Sequence, residues 1–144
     1  MDSRRAFASP ARGPKSRESP VAPILIAGIV TVNLALVAYG IGIVTEQRRR
    51  RITLKVLRFL QLGVVLDIVA TSFMIVGSGE GLSLHGYIGF SALAVMFSEL
   101  IVAWRHRASH GDAEVPSWLH RWSRLAYGWW CVAYVAGAAL VMGG

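Results

Sequence analysis

The chain has 144 residues, 54% of them hydrophobic and 16% charged, with a mean hydropathy of +0.50 and a formal net charge of +7. Its apolar residues fall in four blocks long enough to cross a hydrocarbon core of about 30 Å as helices, which leaves no room for a soluble domain. The Lys and Arg residues cluster between those blocks, where they meet lipid headgroups, so the charge does not point to nucleic acid. The lone Cys131 excludes an internal disulfide and has no partners for a zinc site.

Residues 1–20 are rich in Ser, Pro, Arg and Gly and are expected to form a disordered basic tail. Arg4-Arg5 resembles part of a twin-arginine export signal, but the apolar region begins too late for one. The first span is expected over about 23–44 and is expected to stay in the mature protein. Pro23 sits in its first turn, Asn33 is its strongly polar mid-span residue, and Ala38-xxx-Gly42 offers a small face for close packing. Glu46 to Arg51 reads as a short basic loop. The second span is expected over 54–76, with Lys55 and Arg58 able to snorkel at its start and Asp67 near its middle. Gly77 to Gly81 reads as a tight connection without Lys or Arg. The third span is expected over 82–104 and is followed by a basic connection, 105–117, in which Ser117 can cap the next helix. The fourth is expected over 118–142, with Trp104, Trp118 and Trp122 at one interfacial level. The architecture that follows is all-α: a four-helix transmembrane bundle, up-down-up-down, over residues 21–144.

Counting Lys and Arg sets the expected orientation. Six lie in residues 46–58, four in 105–124, five in the tail and none in the 77–81 connection. The loops at 45–53 and 105–117 are therefore placed in the cytoplasm and both termini outside.

The third span organises the polar residues. His85 and Glu99 are fourteen residues apart, so they share a face and lie about 21 Å apart along the helix. Its expected inward stripe is His85, Gly89, Ala92, Met96, Glu99, Ala103. On the fourth span the expected stripe is His120, Arg124, Tyr127, Cys131, Tyr134, Ala138. Glu99 is expected to meet His120 or Arg124. Asp67 is expected to bond to Asn33, Thr71 or Tyr127. Ionisable groups inside a bilayer mark function or lock a bundle together. His106-xxx-His110 has a metal-like spacing, but in a segment that reads as a polar loop. No nucleophile with an oriented base and no phosphate-cradling loop is visible, so a non-enzymatic role is expected.

An ordered set of segments crosses all four spans. It comprises Tyr39-Gly40-Ile41-Gly42 with Glu46, then Leu62 through Asp67 with Thr71 and Met74. Leu84-His85-Gly86 with Gly89 and Met96 follows, then Leu119-His120-Arg121-Trp122-Ser123, then Trp130 through Tyr134 to Gly137. This set resembles the HsmA-type proteins, small four-helix bacterial membrane proteins associated with haem binding and sequestration. The family pattern carries a histidine where this chain has Glu99. The resemblance implies an inner-membrane protein that binds b-type haem, with His85 and His120 as candidate iron ligands. Asp67 and Glu99 would then tune or orient the ligands, and Arg124 would meet a propionate. Two other roles are compatible with the residues. One is a small proton-coupled transporter or channel using Asp67 and Glu99, which would need a homodimer to thicken its wall. The other is an accessory or assembly subunit without a site of its own.

Overall fold

The computed structural model describes residues 21–78 and 84–143. Residues 1–20, residues 79–83 and Gly144 lie outside the described residues, so the expectations for the basic tail, most of the 77–81 connection and the start of the third span fall there.

The described chain is all-helical: α1 (Val21–Arg49), α2 (Leu54–Ser78), α3 (Leu84–His110) and α4 (Ser117–Gly143). Three of the four are long and apolar enough to cross a membrane, over Pro23–Arg49, Leu54–Gly77 and Gly86–His110, with mean hydropathies of 2.3, 2.1 and 1.7. The helix α4 is 27 residues long and carries His120, Arg121 and Arg124 in its first turns.

Two helices outrun their expected ends. The first continues through Glu46 to Arg49, so Glu46 is helical and buried rather than part of a loop. The third continues through 105–110, so His106 and His110 sit on a helix with rings stacked 4.8 Å apart, not in a loop. The reason is local. Charged residues do not stop a helix; a backbone in the left-handed region does. Arg50 (φ 52°) donates its N–H to the Glu46 carbonyl at 2.7 Å, and Gly111 (φ 61°) donates to the Arg107 carbonyl at 2.8 Å. The expected Ser117 cap is also displaced. The Pro116 carbonyl takes the first helical N–H groups, from Leu119 and His120, so Pro116 is the cap residue. Thr53 caps α2, its Oγ1 accepting from the Val56 N–H at 3.3 Å.

The helices pack in a ring. Each backbone touches its two neighbours, while α1 does not reach α3, nor α2 α4. The closest pair is α1 and α2, and small residues explain why. Gly28, Ala35 and Gly42 recur every seven residues on α1, as Gly63, Ala70 and Gly77 do on α2. Such stripes let backbones approach. A Cβ on Gly63 would stand 2.6 Å from the Tyr39 Cβ, and one on Gly42 would stand 2.8 Å from Leu60 Cδ2. Contact pairs Gly28 with Met74, Tyr39 with Gly63, Gly42 with Leu60 and Leu25 with Gly77 fix the register.

At one end the two connections are tied together. Arg51 bridges to Glu114, and the Val115 N–H donates to the Arg50 carbonyl at 2.8 Å. Arg107 donates to the Ile52 carbonyl at 2.8 Å and pairs with Asp112. Ile52 and Val115 close that end from inside.

Residues as apolar as Leu34, Val65, Val76, Leu125 and Leu140 are exposed, while Glu46, Asp67 and Glu99 are 1%, 5% and 1% exposed. This inverts the soluble pattern, in which charged side chains are almost never fully buried.

Candidate functional site

The interior side chains come from all four helices. Glu46 and Tyr39 stand on the buried face of α1, Asp67 on α2 and Glu99 on α3. The third-span stripe is present as expected for Ala92, Met96, Glu99 and Ala103, all buried. Gly89 is half-buried, with open space where a Cβ would be. The fourth-span stripe is turned from the expectation. Its buried line is Leu119, Ser123, Ala126, Trp130 and Ala133. Choosing polar side chains picked the flank instead: His120, Tyr127 and Tyr134 face α1, and Arg124 is exposed.

Two polar contacts cross the ring between helices that do not touch. The Tyr39 hydroxyl donates to Glu99 Oε2, joining α1 to α3, and Ser123 of α4 is the second side-chain hydrogen-bonding neighbour of Glu99. Asp67 of α2 has Trp130 of α4 as its side-chain hydrogen-bonding neighbour. The expected pairing of Glu99 with His120 or Arg124 is therefore absent, as is that of Asp67 with Asn33, Thr71 or Tyr127. The two crossings meet: the rings of Tyr39 and Trp130 lie 6.1 Å apart, and Tyr127 stacks on Tyr39 at 6.2 Å. Aromatic residues with one polar tip can fill a core and still donate.

His120 has a different partner. Its Nδ1 lies 2.9 Å from Glu46 Oε1, and Gln47 binds both Glu46 Oε2 (2.8 Å) and the His120 carbonyl (3.0 Å). Among the described residues the other ring nitrogen, Nε2, has no hydrogen-bond partner. Near the middle of α1, Tyr134 donates to Asn33 Oδ1 at 2.9 Å, and Asn33 is mid-span as expected but on the exposed face of the helix. His85 lies in the first turn of α3, and its side chain falls outside the described residues.

The polar groups thus stand at successive levels along α1: Glu46, then Tyr39 about 10 Å deeper, then Asn33 about 9 Å beyond. No Lys or Arg is buried among the described residues, so no fixed cation answers the three carboxylates. Also among them, no group of three or more His, Cys, Asp and Glu could hold a metal ion.

Tyr39, Trp130 and Ser123 enter the sequence reading only through the resemblance, and Glu46 enters it otherwise only as the start of the expected basic loop. Two signals single them out. Tyr39 and Trp130 are mid-span aromatics whose N–H or O–H needs a partner far from water. Glu46 extends the small-residue stripe of α1 by one turn, which places it inward.

Compared with protein-family models, curated proteins and solved structures, the chain matches none.

A haem that the resemblance implies can be tested against these residues. The interior does not fit it. Met96 and Glu99 are sealed, Glu99 is engaged by Tyr39 and Ser123, and Ala92, Tyr39 and Trp130 fill the space between the helices. The edge at His120 has one feature that an iron ligand needs. A ligating imidazole ordinarily donates its other nitrogen to a carboxylate, which is the arrangement of His120 with Glu46.

Proposed function

We propose that this is a four-span integral membrane protein, up-down-up-down, that moves protons or a proton-coupled solute through its carboxylate-lined interior. The α1–α2 register and the ring packing support the topology. The clustering of Lys and Arg supports placing the two connected loops in the cytoplasm and both termini outside. One observation carries the function. Three carboxylates, one on each of α1, α2 and α3, are buried without a buried cation, inside a body whose outside is apolar. Intramembrane carboxylates are costly, and they line ion and proton pathways.

In this reading Glu46 and His120 form the entry at the cytoplasmic end. Glu99, with Tyr39 and Ser123, is the middle station, and Asp67 with Trp130 the next. The levels are too far apart for direct hydrogen bonds, so water or side-chain motion completes the relay. Proteoliposomes of the purified chain should show proton flux that Glu99→Gln and Asp67→Asn each reduce at least tenfold. Flux equal to that of empty liposomes would sink the reading.

A second reading has its own observation, the open Nε2 of the Glu46–His120 pair. In it the chain binds haem for sequestration at the His120 edge. His120 would hold the iron through its open Nε2, and haem would supply that iron when bound. Glu46 would fix the tautomer and orientation of that imidazole. Haem titration of the detergent-purified protein should then give a Soret band that His120→Ala removes and Glu46→Gln weakens. An unchanged band in His120→Ala would rule the edge out.

A further inference from the structure

We propose that the outer face of α3 and α4 holds one acidic phospholipid, with its acyl chain beside Gly128 and its phosphate at Arg124. The groove there has a volume of about 460 Å³, within the ~300–1,000 Å³ of small-molecule sites. Val95 of α3 and Leu125, Trp129 and Val132 of α4 form its apolar walls. Gly128 is its floor, and a Cβ there would meet nothing within 4 Å, so the missing side chain leaves real space. The wall is held in place, because the Trp129 indole N–H donates to Ser91 Oγ at 3.1 Å.

The one cation among the lining residues decides the occupant. Arg124 lines it, is exposed, and has no carboxylate partner among the described residues. It lies one turn from Arg121 and shares the groove mouth with Trp122, a side chain suited to the headgroup level. An apolar trough beside an unanswered cation favours a lipid with a net negative headgroup, because a zwitterionic lipid brings a quaternary ammonium of its own with its phosphate and so leaves the positive charge of the site uncancelled. A helix of a second copy would fill the trough equally well, but among the described residues the exposed carboxylates, Asp112 and Glu114, stand in the 111–116 connection and not on a helix face.

The test uses the full chain in detergent, with phosphatidylglycerol or phosphatidylcholine added and retained lipid counted by native mass spectrometry. The expected result is one phosphatidylglycerol per chain, kept about fivefold better than phosphatidylcholine, the worth of roughly one arginine at a membrane surface. Arg124→Gln should erase that preference. Arg48→Gln, at the same end but on α1, should leave it intact. Gly128→Leu should fill the trough and remove both lipids, with Val132→Trp as a second filling variant and circular dichroism to check helicity. Equal retention of the two lipids overturns the proposal. So does a preference that survives Arg124→Gln, lipid retained by both filling variants, or a dimer that excludes lipid from this face.

Discussion

At the scale of the residue, the central fact is a carboxylate held by neutral groups. Glu99 has Tyr39 on one side and Ser123 on the other, and neither can cancel a charge. A buried acceptor that loses one donor bears the desolvation cost itself, about 1–3 kcal/mol. Tyr39→Phe keeps the ring packing on Tyr127 and Trp130 but removes the hydroxyl. It should lower the stability of the purified protein by about that amount, read as a fall in apparent Tm. It should also slow proton flux while leaving helix content unchanged. A variant with wild-type Tm and wild-type flux would show that the Tyr39–Glu99 bond does nothing. Glu46 makes the companion case. Glu46→Gln retains a side chain able to bond His120 and Gln47 and should be mild. Glu46→Ala leaves both without their partner and should cost about 1–3 kcal/mol. Comparing the two apparent Tm values checks this ordering.

At the scale of the element, the α1–α2 pair sets the position of Tyr39, because Gly63 lies directly beneath it. A side chain there cannot be absorbed by a flexible tip; it meets Tyr39 at Cβ and at the backbone Cα, 2.6 and 3.0 Å away. Gly63→Val should therefore separate α1 from α2, cost about 1–3 kcal/mol or more as overpacking, and carry the Tyr39 hydroxyl off Glu99. Gly128→Leu, on an open face, should stay within about 0.5 kcal/mol. Equal losses in the two variants would mean that glycine on any helix matters, not the close approach at Gly63. The same helices show what the sequence could and could not reveal. Four helices, three of them long and apolar enough to cross a membrane, were legible because length and hydropathy are local properties, as was the buried line of α3, where Ala92, Met96, Glu99 and Ala103 repeat with helical spacing. The end of α1 was not, because Arg50 adopts a positive φ that its residue type does not announce, and the end of α3 was misplaced because its basic residues read as a loop although Gly111 marks the stop. The buried face of α4 was misjudged because a helix rich in Tyr, Trp and His has polar groups on several sides, and only the neighbours decide which side is inward. Glu99, Asp67 and His120 each take a partner sixty or more positions away, in Tyr39, Trp130 and Glu46, and no spacing rule reaches that far.

At the scale of the whole molecule, two asymmetries coincide. All the Lys and Arg of the described residues lie at the end where the 50–53 and 111–116 segments are tied together, and Glu46 and His120 stand just inside it. The proposed proton route opens at that end and would draw from whichever compartment faces it, so the proposal depends on orientation. In the proposed orientation, with the positive charge on the cytoplasmic side, the entry faces the cytoplasm and Asp67 and then Asn33 lie towards the outside. Ser109 offers a test because it is exposed in the last turn of α3, at that same end. In a Cys131→Ala background, Ser109→Cys should react with a membrane-impermeant maleimide in inverted membrane vesicles and stay unlabelled in intact cells. The Cys131→Ala background alone should give no label in either preparation. Labelling in intact cells would turn the chain over, and the Glu46–His120 pair would then become the external mouth of the route. The proton gradient that drives a solute through it would have to be read in the opposite sense, with Glu46 and His120 loading from outside.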